Sequence, residues 1–284
     1  MPSFSDKFIA FIDVLGFKSM VAAAERGEGV SLEEMVGALH LLGTGEERAT
    51  YDNHGGALCP GAPRLAKNLD FMVTQVSDCV VVSAEASPAG LINLVGHCSG
   101  AVIGLMLQGI MCRGYIKRGS IYHTERDLIG SGYNDAYLAE SKVSAFKREA
   151  DERGTPYVEL DPEVCAYVAD QPNDCVRNMF DGMVRSDGQA VVLFPFRCLR
   201  HSFIVAGFMA TYEWDKERES NNEVRKLVQA TKAKIWSFVD RSLPSAVSKA
   251  NHYIAALDAQ LEACDETDRE IDYFGAMHER RRIR

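Results

Sequence analysis

Phe11-Ile12-Asp13-Val14-Leu15-Gly16-Phe17 decides how this chain is read. An apolar run from Phe8 to Ile12 delivers one carboxylate, Gly16 then turns the backbone, and a helical pattern follows. A strand end of this kind sets an acid beside free backbone N–H groups and the positive end of a helix, which suits a phosphate-bearing ligand. A second acid, Asp78, sits in the apolar run Val76-Ser77-Asp78-Cys79-Val80-Val81-Val82. A carboxylate there is costly unless something compensates it. Two acids on two strand ends that share divalent cations explain both positions and point to phosphoryl chemistry. The plainer readings are a turn former at Asp13 and a hairpin tip at Asp78.

Working outward, the 284 residues are 46% hydrophobic, enough for a sizeable core in one large domain or a domain with an appendage. The net charge of -9 argues against a broad nucleic-acid footprint. Eight cysteines form no Cys-x-x-Cys pair, so reduced core thiols and a cytoplasmic setting are expected. The stretch 101–111 is broken by glycines and too short to span a bilayer, so no membrane association is expected.

The pattern predicts a strand over 8–14, helices over 18–26 and 32–42, and a capping box from Ser31 to Glu34. A loop over 50–65 leads to a hairpin, 71–76 and 78–82, turning at Ser77-Asp78. A helix over 88–108, a strand over 112–123 and a strong helix over 134–153 follow. Short strands are expected at 157–160, 190–196 and 201–204. After Glu213 the chain becomes charged and helical, with Pro244 as a break, so 1–213 reads as a catalytic domain and 214–284 as a helical C-terminal extension. The resulting β-α-α-β-β-α-β order predicts an α+β fold, a ferredoxin-like βαββαβ sheet with extra C-terminal strands and helices. Asn134 opens a helix in the segment 127–136, as a helix cap or as a ligand contact. Arg113, Lys117 and Arg118 lie on the strand 112–123 as candidate phosphate-facing cations.

These three segments, in this order, resemble the class III nucleotide cyclases. Phe11 to Phe17 is similar to the first metal motif of that family, Val76-Ser77-Asp78-Cys79 to its second, and Asp127 to Ala136 to the segment carrying its transition-state asparagine. The resemblance spans roughly 8–148. It implies two divalent cations, Mn²⁺ or Mg²⁺, held by Asp13, Asp78 and the carbonyl of Val14. It implies phosphate contacts from Gly16 and Phe17, and a homodimer with active sites at the interface, where Asn134 acts from the partner. The family's base-reading positions fall on Thr74 and Asp127, and its transition-state arginine falls on Leu138. Another cation must then serve, with Arg118, Arg113 and Lys142 as candidates. Within the family the chain is similar to the bacterial pyrimidine cyclases of anti-phage Pycsar systems, for which Tyr51 is a candidate base contact. That branch implies conversion of UTP to 3′,5′-cyclic UMP and pyrophosphate, with a separate effector activated by the cyclic nucleotide. Cyclic CMP, a purine product and a non-catalytic nucleotide sensor remain alternatives, because Thr74 can donate or accept and Asp127, as a base reader, suits the amino group of cytosine.

Overall fold

A computed structural model describes residues 2–43, 69–152, 154–199 and 214–282. The central strand is β1 (Ser5–Val14), in which Phe8, Ile9, Ala10 and Ile12 are wholly buried because both of its faces are covered. Helices α1 (Phe17–Glu25) and α2 (Leu32–His40) follow, and Ser31 and Glu34 close the expected capping box. Strands β2 (Met72–Val76) and β3 (Cys79–Glu85) pair Val76 with Cys79, leaving Ser77-Asp78 as a two-residue turn. Ser77 takes a left-handed φ of 56° there, a conformation that glycine would enter at lower cost.

Helix α3 (Pro88–Leu107) starts with a Ser87 cap and Pro88. It is apolar on nearly every side because it lies under the sheet; by composition it could cross a membrane, yet 67% of its apolar window is buried inside the protein. Strand β4 (Cys112–His123) returns antiparallel to β1, and the short β5 (Leu128–Ile129) pairs with its end. Within the sheet order β2-β3-β1-β4-β6-β8-β7, the first four strands reproduce the split βαββαβ arrangement. Strand β6 (Val158–Leu160) extends it in parallel to β4, and β8 (Val191–Leu193) and β7 (Val184–Ser186) complete it.

The face carrying Phe8, Ala10, Ile12 and Val14 builds the main core against α3 and against α5 (Pro162–Ala169) and α6 (Asp174–Met183), none of the latter two having been expected. The opposite face carries Ile9, Phe11 and Asp13, and α4 (Ser131–Glu140) covers part of it. The long helix expected over 134–153 is replaced by this shorter α4. The chain leaves the helix after Glu140 because Val143 and Ala145 enter a second core, Phe146 has φ 57°, and the Glu159 carboxylate accepts from the N–H groups of Ser144 and Ala145. The expected strand over 190–196 also ends early, in a 3₁₀ turn at Pro195–Leu199.

Helices α7 (Trp214–Phe238) and α8 (Pro244–Arg282) form an antiparallel pair that packs Val228, Ile235, Ala250, Tyr253 and Leu257 against Met106, Met111, Tyr157 and Phe196. Cys175 is disulfide-bonded, which corrects the expectation of reduced thiols throughout; its spacing in the chain held no signal for a partner. Cys79, Cys98, Cys112, Cys165, Cys198 and Cys264 stand outside any disulfide. The expected loop over 50–65, the strand over 201–204 and Tyr51 lie outside the described residues.

Candidate active site: two acids at the end of the central strand

Asp13 leaves the open face of β1 between two neighbours in register, Cys79 on β3 and Arg113 on β4. The Val14 N–H donates to the Asp78 carbonyl at 3.0 Å, which pins the hairpin tip against the end of β1. Asp13 and Asp78 are close enough that Asp78 helps to raise the pKa of Asp13. That pKa rises from 3.8 to about 6, through burial first, then Asp78 and Glu140, against Arg113 and Lys249. The Cys79 thiol beside them is pushed up to about 11 by burial and by the same two acids. The cluster therefore carries an excess of negative charge that a cation would relieve.

Next to it, Gly16 takes φ +80° as the N-cap of α1, with no side chain capping the helix and no acid in its first turn. The Ser19 and Met20 N–H groups donate to the Gly16 carbonyl, while among the described residues those of Gly16 and Phe17 have no backbone acceptor and suit an anion. Asp13, Val14, Gly16, Phe17 and Asp78 are thus brought together as the sequence suggested. Among the described residues no group of three His, Cys, Asp or Glu side chains is set to hold a metal. Two carboxylates completed by carbonyl and phosphate oxygens still match how Mg²⁺-type ions are held in phosphoryl-transfer sites.

Arg113 joins the site, ion-paired to Glu140 at the end of α4 and donating to the Gly154 carbonyl. Arg118 does not. It pairs in register with Phe8, projects from the other face over the Tyr167 ring, and binds Asp6 through two nitrogens. Lys142 is exposed in the turn after α4. Lys117 bridges to Asp135. Sequence reasoning missed Glu140 and Lys249, because both are ordinary-looking helical residues whose contact with Asp13 is made only by the tertiary fold. Lys249 on α8 is half-buried, holds no ion-pair partner among the described residues, and lines a cleft of ≈ 190 Å³ with Leu15, Gly16 and Ser19.

Asn134 is the fourth residue of α4, whose N-cap is Gly130, so it is not the cap that was expected. Gly132, Ala136 and Glu140 form the buried stripe of that helix, while Asn134, Tyr137 and Leu138 face outward. Thr74 stands on the same face as Asp13, hydrogen-bonded to His123, and Asp127 lines a recess with His123 and Met72. Asp127 also closes the β4–β5 turn through mutual bonds with Thr124, the local role that its type favours.

No protein-family model matches the chain, and no curated protein matches it. Among solved structures, 13 chains match. One is the crystal structure of the catalytic core of a rhodopsin-guanylyl cyclase with converted specificity in complex with ATPalphaS, 13% identical, covering 66% of this chain and 92% of that one with a TM-score of 0.31. At that identity and score the likeness carries no functional argument.

Proposed function

We propose that this chain is a nucleotide cyclase, acting on a pyrimidine nucleoside triphosphate and favouring UTP over CTP. The observation that carries the reading is the Asp13–Asp78 pair, held at the end of β1 beside the uncapped N-terminus of α1. The 3′-hydroxyl oxygen attacks the α-phosphorus of the same molecule. The bond from that phosphorus to the bridging oxygen breaks, pyrophosphate leaves, and the hydroxyl proton passes to solvent. Two divalent cations, Mg²⁺ or Mn²⁺, would lower the pKa of the hydroxyl and offset phosphate charge when bound. Asp13 and Asp78 would hold them, and the Val14 carbonyl would add a ligand.

The chain's own residues do the rest. The N–H groups at Gly16 and Phe17 receive phosphate oxygens, aided by the helix dipole. Lys249 holds no ion-pair partner among the described residues and lines the cleft beside Gly16, from where it would pair with the phosphates in the place of the missing arginine. Arg113 is already committed to Glu140 and orients that wall of the site. Asn134 and Leu138, outward on α4, fit a homodimer in which each α4 serves the neighbouring site. The product would be a cyclic nucleotide second messenger for a separate effector in anti-phage defence.

The test is divalent-dependent pyrophosphate release from UTP. Asp78→Asn is expected to abolish it, and Lys249→Ala to lower kcat by about 10²-fold, as for loss of one stabilising contact. Arg118→Ala is expected to leave it unchanged. Full activity in Asp78→Asn would remove the reading.

A further inference from the structure

Three polar side chains on the Asp13 face of the sheet make a closed relay that the cyclisation does not use. His123 is buried at the end of β4; its Nδ1 lies 2.8 Å from Ser83 Oγ and its Nε2 lies 2.9 Å from Thr74 Oγ1. Burial, helped by Lys7, lowers the His123 pKa to about 4, so the imidazole is neutral near pH 7. A neutral imidazole has one N–H donor and one acceptor, and its partners decide which nitrogen is which.

Ser83 makes that decision. Its side chain is fully buried, and among the described residues its hydroxyl has His123 as its one hydrogen-bond partner. Were Nδ1–H to donate to Ser83, the hydroxyl hydrogen would be buried with no acceptor, the costlier arrangement. The Ser83 hydroxyl therefore donates to Nδ1, and the ring proton sits on Nε2. Nε2–H donates to Thr74 Oγ1, and the Thr74 hydroxyl hydrogen is left to point away from His123.

Thr74 is also in reach of a nucleotide anchored at Asp13. It faces the row of Val81, one two-residue step from the row of Cys79 and Asp13, and lies two strands away from β1. That separation is about 12 Å from strand spacing and rise, on the scale of a mononucleotide.

We propose that the Ser83–His123–Thr74 relay presents Thr74 as a hydrogen-bond donor and so selects a base with a keto oxygen at ring position 4, uracil over cytosine. The inference rests on the nucleotide-binding reading of the Asp13 site. Uracil offers an acceptor at that position where cytosine offers an amino donor, and the Asp127 carboxylate matches the N3–H that uracil has and cytosine lacks. His123 is a positioning residue, acting through Thr74.

Two measurements on the wild-type protein test this. The first is ¹⁵N NMR of histidine-labelled protein, with the His123 signals assigned by their loss in His123→Gln. The expected result is a neutral ring protonated on Nε2; protonation on Nδ1 would overturn the relay. The second is equilibrium binding of UTP and CTP with Mg²⁺, which needs no turnover. UTP is expected to bind at least about tenfold tighter. Equal affinities, or tighter CTP, would overturn the selection even if both are cyclised. UTP preference without any turnover would support the relay while rejecting the cyclase reading. Ser83→Ala and Thr74→Val are expected to bring the ratio toward one, and Thr74→Ser to keep it; a merely structural role would lower both affinities together.

Discussion

Asp13 occupies a place that resists its own charge. Its pKa rises to about 6 through burial and through Asp78 and Glu140. The folded chain therefore holds the proton more tightly than the unfolded chain, and stability falls as pH climbs from near 3.8 through about 6. Asp13→Asn removes that cost. Without divalent cations the variant is expected to be more stable than wild type at about pH 8 and equal to it at or below about pH 4. Denaturant midpoints at the two pH values check this, and a difference that does not change with pH would contradict it. A stabilising substitution that abolishes activity is the behaviour of a group held for function rather than for the fold.

At the scale of elements, α4 sits close to the sheet because two glycines allow it. A Cβ on Gly132 would meet Ile9 Cδ1 at 2.4 Å and Gly119 Cα at 3.1 Å. Gly132→Ala is expected to push α4 outward and cost about 1–3 kcal/mol, the usual penalty of overpacking. Because α4 carries Glu140, the partner of Arg113, the same variant is expected to lower activity; a thermal melt and a rate together check it. The hairpin offers the opposite change. Ser77→Gly is expected to stabilise the chain by about 1 kcal/mol, since it relieves the left-handed serine at φ 56°; an unchanged urea midpoint would contradict this. These elements also show what the sequence could tell. Strand β1, the Ser77-Asp78 turn, the Ser31 capping box and the limits of β4 were all readable, because a continuous apolar run, β-forming residues and local turn chemistry determine them. The length of α4 was not readable. Residues 141–146 keep a helical pattern, and the Glu159 carboxylate, distant in sequence, pulls them out of it. Arg118 shares the strand 112–123 with Arg113, but alternation over five residues puts it on the other face.

Across the whole molecule, the C-terminal helices are part of the core that builds the site. Tyr253 on α8 is 1% exposed and packs its ring against Tyr157 and Phe196. Tyr253→Ala is expected to cost about 3–5 kcal/mol, as for other large aromatic truncations, in a urea unfolding series. A loss below about 1 kcal/mol would mean that α7 and α8 pack only loosely. The same helix hairpin delivers Lys249 to the cleft beside Gly16, so the extension and the acid pair form one structural unit. The sequence showed the apolar stripe of these helices but not its target, because a stripe records that a face is buried and not against what.

The central claim is that the acid pair turns a nucleoside triphosphate into a cyclic nucleotide. Incubating the purified protein with ATP, GTP, CTP or UTP and Mn²⁺, and identifying products by mass, tests it most directly. The account predicts cyclic UMP and pyrophosphate from UTP, lost in Asp78→Asn. No cyclic product from any of the triphosphates, or a product that survives Asp78→Asn, would contradict it.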